Sequence, residues 1–224
     1  MNRFYEEIDL KLYVYEHCPF CVRARMIFGL NNVPVELVML PNDDEETPIA
    51  MTGKKMLPIL EISKNETIDE SLDIVHYIAE IRGASCLTLG RDSKIESWAE
   101  DASKTIYELA IPRWAYSDFP EFASISARQY FIDKKQGAFG DFSALVARTP
   151  ALLDEINQRL VELDVMLRNK DNVVNEWSLT DVILYPVVRS LSIVKGVEWP
   201  RSVDEWRCRL ASQSGILLHD EVAI

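Results

Sequence analysis

The first third of the chain alternates between short apolar runs and longer segments whose apolar residues recur at helical spacing. This pattern predicts strands over residues 11–15, 34–39, 58–62 and 66–68, and helices over residues 19–30, 47–53 and 70–81. In the second helix, Thr47 has the character of an N-cap, Pro48 suits the first helical position, and Gly53 is a good stop. Such an order of strands and helices favours a mixed sheet with helices packed on its faces.

The rest of the chain carries helical patterns only, without a convincing strand. After Gly83 and a loop-like stretch, these patterns cover residues 95–111, 124–137, 142–147, 150–168 and 178–195. Ser178 and Asp181 have the spacing of a capping box, which marks the start of the last of these helices. We therefore predict an α/β domain over residues 1–84, a linker over residues 85–94 and an all-helical domain over residues 95–224.

Charge and hydropathy restrict the class of protein. The 224 residues include 36 acidic and 24 basic side chains, for a formal net charge of −12. This excess of negative charge argues against general affinity for nucleic acid or for an anionic membrane. No apolar run approaches the roughly 20 residues of a membrane span, and the acidic residues 1–9 lack the apolar core of a signal peptide. We expect a cytoplasmic protein that acts as a monomer.

The chemistry is concentrated in the segment Cys18-Pro19-Phe20-Cys21, where the first strand gives way to the first helix. A C-x-x-C pair beside a strand–helix–strand pattern is typical of a redox site. A cysteine at a helix N-terminus faces unsatisfied N–H groups, and these favour the thiolate, which is the attacking species. Cys21 lies one turn further on, within reach of a short-loop disulfide. These positions make Cys18 the candidate nucleophile and Cys21 the resolving thiol.

The residues alone also allow a metal-binding interpretation of this segment. The pair could form half of a zinc site, but zinc usually takes four ligands, and the chain has no second C-x-x-C and no paired histidines. The redox interpretation is therefore favoured.

The neighbouring residue and the two isolated cysteines have simpler interpretations. His17 could tune the pair, although a solvent-facing neighbour is the more ordinary role for such a residue. Cys86 and Cys208 have no partner motif, so we expect them to be structural or inert.

The Cys-Pro-Phe-Cys motif on this topology resembles that of glutaredoxins, in which tyrosine usually stands in place of Phe20. From residue 10 to residue 224 the chain is similar to the bacterial glutaredoxin 2 type, which joins a thioredoxin-like domain to a helical domain as in glutathione S-transferases. The resemblance implies a glutathione-dependent oxidoreductase that reduces glutathione mixed disulfides and protein disulfides, with glutathione as co-substrate and without a metal. Residues 1–9 precede the usual start of the family's chains, so we expect them to contribute little to the fold. Further matching segments are residues 24–30, 34–37, 42–44, 73–77 and 133–135.

The resemblance also implies a glutathione site around Phe20. It implies a cis bond between Leu57 and Pro58, so that the backbone of Leu57 pairs with the cysteinyl part of glutathione. It further implies that Glu70 and Ser71 hold the γ-glutamyl group. A helix N-terminus with Ser71 suits the α-carboxylate, and Glu70 suits the α-ammonium. An ordinary trans proline and a simple helix cap are the alternatives.

The cation that would bind the glycine carboxylate of glutathione stays open at this point. Lys54, Lys55 and Arg23 are candidates, although a solvated surface charge is the more ordinary role for each of them.

Two other functions compete with disulfide reduction. A glutathione S-transferase would join glutathione to electrophiles, generally with Ser or Tyr, or with a single cysteine near this position. A transferase-like scaffold without catalysis would be expected to lack the cysteine or the Glu70-Ser71 pair. The presence of Cys18, Cys21 and that pair favours the oxidoreductase.

Overall fold

The computed structural model describes residues 10–64, 66–82, 87–88, 90–168 and 177–224. Our expectations about the extension over residues 1–9 and about Cys86 lie outside this part of the chain.

A four-stranded sheet forms the centre of the N-terminal domain. Its strands are β1 (Lys11–Val14), β2 (Glu36–Met39), β3 (Ile59–Ser63) and β4 (Glu66–Ile68), in the order β2-β1-β3-β4. β1 pairs parallel with β2 and antiparallel with β3, and β3 pairs antiparallel with β4, so the predicted mixed sheet is confirmed.

Three helices complete this domain: α1 (Pro19–Leu30), α2 (Glu46–Thr52) and α3 (Ser71–Arg82). The predicted bounds of α1 are the observed ones. The predicted N-cap of α2 is wrong, because the helix begins at Glu46 and the carboxylate of Asp44 accepts a hydrogen bond from the Thr47 N–H at 3.0 Å. Gly53 ends α2 as predicted, with φ at +79° in the left-handed region that glycine favours.

The second domain contains the five predicted helical segments. The last of them is split, since α8 ends at Arg189 and the chain continues in a 3-10 helix over Ser190–Ile193. The capping box of Ser178 and Asp181 is present at the start of α8. The helices are α4 (Ser93–Trp114), α5 (Ile125–Phe139), α6 (Phe142–Ala147), α7 (Thr149–Arg168), α8 (Leu179–Arg189) and α9 (Arg201–Ser214), with 3-10 turns at Pro120–Phe122 and Asp220–Val222.

One helix and two short strands beyond the N-terminal domain were not predicted. Helix α9 is rich in charged residues, although Val203, Trp206 and Leu210 are buried at the three- and four-residue spacing of a helix face. β5 (Leu87–Thr88) pairs parallel with β6 (Trp177–Ser178), so the expectation of no strand in the second half is wrong. Strands of two residues are too short to leave a periodic pattern in the sequence.

The two domains share a continuous apolar interior. Helix α1 packs against α3 in its own domain and against α8 and α9 in the helical domain. The fully buried Arg189 of α8 donates a hydrogen bond to the Leu217 carbonyl at 2.8 Å and forms an ion pair with Glu16. Because Glu16 lies just before the Cys-x-x-Cys segment, this contact fixes the loop between β1 and α1 against the helical domain. Within the described residues, no helix is both long enough and apolar enough to cross a bilayer.

Candidate active site

Cys18 is the N-cap residue of α1. Its sulfur accepts a hydrogen bond from the Cys21 N–H at 3.5 Å, and its carbonyl accepts one from the Val22 N–H at 2.9 Å. Pro19 occupies the first helical position, where the absence of an N–H group costs nothing. The thiol is therefore held at the positive end of the helix and stays partly accessible, whereas Cys21 is fully buried behind it.

The surroundings of the two thiols drive their acidities apart. A hydrogen bond from the Cys21 side chain lowers the pKa of Cys18; burial opposes this, while the charge of His17 and backbone N–H groups lower it further, to about 6. Burial raises the pKa of Cys21, and the nearby Cys18 sulfur raises it again. The pair thus contains one thiol that is ionised near neutral pH and one that stays protonated, which suits a nucleophile and a reserve thiol.

A cleft of about 190 Å³ opens in front of Cys18, between the two domains. Leu57 lines this cleft, and the Leu57–Pro58 bond is cis, as predicted. The helical domain supplies the opposite wall with Tyr130, Phe131, Lys134 and Lys135 of α5.

Glu70 and Ser71 lie at the N-terminus of α3, outside the set of residues that lines this cleft. The hydroxyl oxygen of Ser71 accepts a hydrogen bond from Arg23 at 3.3 Å, and the Arg23 guanidinium lies 5.2 Å from the centre of the Phe20 ring. Ser71 is buried, whereas Glu70 and Phe20 are exposed. Arg23 therefore connects the exposed ring of the Cys-Pro-Phe-Cys motif to the start of α3.

The three candidate cations have different surroundings. Lys54 is an exposed residue that pairs with Asp69 at 3.0 Å. Lys55 is not simply a solvated charge, because its ammonium donates to the Asn42 carbonyl at 2.5 Å and lies 3.8 Å from the Tyr130 ring centre. Arg23 is likewise held within the site, and burial lowers its pKa. Lys54 therefore fits the expected solvated surface charge, whereas Lys55 and Arg23 do not, because they are half-buried against Tyr130 of α5 and Ser71 of α3.

His17 differs most from its expectation. The ring is 7% exposed, so a solvent-facing neighbour is wrong, and it packs in the interface between the domains. Its Nδ1 lies 2.5 Å from Oε1 of Glu121, and its backbone N–H donates to the same oxygen at 3.0 Å. Glu121 is fully buried and was missed, because a single glutamate 104 residues further along the chain gives no local signal.

Comparison with known proteins identifies the family. The family profile described as "Glutathione S-transferase, N-terminal domain" matches residues 12–85, and "Glutaredoxin 2, C terminal domain" matches residues 94–223. The chain is 42% identical to Glutaredoxin 2 of Escherichia coli K12 over 215 residues, which cover 96% of this chain and 100% of that protein. The chain belongs to the glutaredoxin 2 family. It is accordingly a glutathione-dependent oxidoreductase, as the family resemblance implied.

Solved structures agree with this assignment. Glutaredoxin 2 from Salmonella typhimurium, solved in complex with glutathione, is 45% identical and has a TM-score of 0.90, over 96% of this chain and 99% of that one. A glutathione S-transferase of Ceriporiopsis subvermispora has a TM-score of 0.69 over 92% of this chain and 96% of its own, at 11% identity. At that identity the likeness shows the fold alone. The predicted architecture, a thioredoxin-like domain followed by a helical domain, is confirmed for this glutaredoxin.

Proposed function

We propose that Cys18 is the nucleophile of this glutaredoxin and reduces glutathione mixed disulfides. The Cys18 thiolate attacks the glutathione sulfur of the mixed disulfide, and the substrate leaves as a protein thiolate that takes up a proton. A second glutathione thiolate then attacks the sulfur of the bound glutathione, forming oxidised glutathione and restoring the Cys18 thiolate. The observation that carries the proposal is the half-buried Cys18 thiol at the N-cap of α1, with its lowered pKa.

Protein disulfides require the second cysteine. The Cys18 thiolate attacks one sulfur of the substrate disulfide and releases the other as a thiolate, which takes the proton of Cys21. The Cys21 thiolate then attacks the Cys18 sulfur, so that the second substrate sulfur leaves as a thiolate protonated from solvent and a Cys18–Cys21 disulfide remains. Two glutathione molecules reduce that disulfide and leave as oxidised glutathione. Cys21 sits one turn behind Cys18, and its protonated form does not compete for substrate.

In this proposal, glutathione extends from the cleft beside Leu57 to the N-terminus of α3. The backbone of Leu57, beside the cis bond to Pro58, pairs with the cysteinyl part and brings its sulfur to Cys18 in the cleft. The Ser71 hydroxyl and the N–H groups at the N-terminus of α3 donate hydrogen bonds to the α-carboxylate, and the exposed Glu70 pairs with the α-ammonium. Phe20 flanks the ligand at the rim. The glutathione complex of the Salmonella relative, at 45% identity, supports a glutathione site in this fold.

Ser71→Ala should lower kcat/KM for a glutathionylated peptide about tenfold, because a hydrogen bond to a charged group is lost. The loss should be carried mainly by KM, since Ser71 contacts the γ-glutamyl group and not the reacting sulfur. Steady-state kinetics test this, with Ser63→Ala as a control at an exposed serine that ends β3. Equal KM values for both variants would place the γ-glutamyl group elsewhere.

Cys21→Ser should separate the two activities. Reduction of a glutathionylated peptide should keep a substantial part of its rate, since free glutathione resolves the Cys18 mixed disulfide. Reduction of a protein disulfide should fall about a hundredfold or more, because the internal resolving thiol is gone. The two rates are measured side by side, together with an aromatic-electrophile conjugation assay. Equal losses on both substrates would reject the role of Cys21, and substantial conjugation would favour a transferase.

The remaining expectations complete the proposal. We propose that the protein acts as a monomer in the cytoplasm, where the glutathione pool supplies the reductant, and that its partners are glutathionylated or disulfide-containing proteins. We also propose the division into residues 1–84, 85–94 and 95–224.

A further inference from the structure

The ring of His17 lies among aromatic side chains of the interface between the domains. It stacks on Tyr15 at a centroid distance of 5.7 Å and on Phe122 at 5.3 Å, with Trp114 at 5.2 Å and Phe131 at 5.0 Å. Three of these four rings belong to the helical domain. A cation within about 6 Å of aromatic rings is stabilised by their quadrupoles, so this cage suits an imidazolium.

Glu121 closes the cage from the 3-10 helix Pro120–Phe122. Its Oε1 accepts hydrogen bonds from the backbone N–H and from Nδ1 of His17. Its Oε2 is buried without a hydrogen-bond partner among the described residues. A carboxylate that is removed from water so completely requires a cationic partner to remain charged. Burial alone would raise the pKa of Glu121, but the hydrogen bonds and charge of His17 hold that pKa below its usual value.

His17 is also the residue immediately before the nucleophile, and both residues line the same cleft. We propose that Glu121 is a positioning residue of the helical domain, which holds His17 as an imidazolium beside Cys18 and thereby stabilises the Cys18 thiolate. The arrangement is a thiol, an imidazole and an orienting carboxylate, with the carboxylate supplied by the second domain. This inference rests on the proposed role of Cys18 as nucleophile.

The other ionisable groups whose charge acts on Cys18 come from four places around it: α1, the end of β1, α4 and α5. Arg23 and Cys21 lie on α1, Tyr15 follows β1, Tyr107 lies on α4 and Lys135 on α5. Burial raises the pKa values of both tyrosines, so they stay neutral near pH 7. None of these groups contacts Glu121 by a hydrogen bond in the described structure, so neutralising that carboxylate leaves them in place.

The direction in which the Cys18 pKa moves when Glu121 is neutralised separates the proposal from a simple charge effect. Glu121→Gln keeps the shape and the hydrogen bond to His17 but removes the negative charge. If Glu121 acted on Cys18 only as a nearby anion, its removal would lower the pKa of the thiol. If it acts through the His17 cation, the thiolate loses its partner, and the pKa rises.

The experiment measures alkylation of Cys18 by iodoacetamide against pH, with the labelled cysteine identified by peptide mapping. In Glu121→Gln, the midpoint of the profile should move up by about one pH unit, which is about tenfold slower alkylation well below both midpoints. Glu108→Gln is the matched control, because Glu108 is a buried glutamate of the helical domain that pairs with Arg148. Its profile should stay unchanged. An unchanged or lowered midpoint in Glu121→Gln overturns the proposal.

A measurement on the unaltered protein covers the case in which Glu121→Gln fails to fold. The chain has three histidines, so the ring nitrogens of His17 can be followed by NMR. At the pH where Cys18 is half ionised, both ring nitrogens of His17 should carry protons. A neutral His17 ring under those conditions overturns the proposal. A wild-type Cys18 that alkylates only at the pH of an ordinary thiol would instead contradict the proposed function.

Discussion

Cys18→Ser should abolish reduction of both glutathione mixed disulfides and protein disulfides, with a loss of about a thousandfold or more in kcat/KM. The serine hydroxyl is not ionised near neutral pH and cannot form a disulfide, so neither half of the exchange can proceed. Coupled assays with glutathione and both substrate types measure the loss.

The matched control is Cys208→Ser, which makes the same substitution at an exposed cysteine. Partial desolvation raises the pKa of the Cys208 thiol, so Cys208 is a poor nucleophile and the activity of Cys208→Ser should stay unchanged. Reversed roles would be shown by an active Cys18→Ser and an inactive Cys21→Ser. Full activity in all three variants would mean that the chemistry does not use the pair.

Gly29→Ala should destabilise the protein by about 3 kcal/mol, because the packing of α1 on α9 leaves no room for a side chain. A Cβ at Gly29 would lie 1.8 Å from the Ser214 carbonyl oxygen and 2.5 Å from its carbon. Both atoms belong to the backbone, so no rotamer change relieves the clash, and the helices must move apart. Denaturant unfolding gives the free energy.

Gly137→Ala is the control for this substitution. Gly137 also lies inside a helix, α5, but a Cβ there would meet nothing within 4 Å. Alanine should be neutral there or stabilise by about 1 kcal/mol, because it is the better helix former. If Gly29→Ala unfolds at the same denaturant concentration as Gly137→Ala, α1 and α9 do not approach as described.

The positions of Cys18 and Cys21 could be predicted because neighbouring residues determine them. The helix pattern of α1, the proline after Cys18 and the spacing to Cys21 together place one thiol at the N-cap and the other inside the first turn. These features depend on a few neighbouring residues, so they can be derived from the sequence. The cis bond before Pro58 came from the family resemblance, since only about one X–Pro bond in twenty is cis.

The parts that could not be predicted depend on contacts between distant segments. The burial of His17 requires Glu121 and the rings of α4 and α5, which are about a hundred residues away. Lys55 meets Tyr130 in the same way. Helix α9 was missed for a different reason, since its periodic Val203, Trp206 and Leu210 lie among many charged residues, and a search for the helical period alone would have found it.

The central claim is that Cys18 is the thiol that carries glutathione. The most direct measurement treats Cys21→Ser with oxidised glutathione at about pH 6, where an ordinary thiol with a pKa of about 8.5 is almost fully protonated. Intact mass and peptide mapping then locate the adduct. We predict one glutathione per chain, on the peptide that contains Cys18, released by added glutathione. Glutathione attached to Cys86 or Cys208 with Cys18 unmodified would contradict the account.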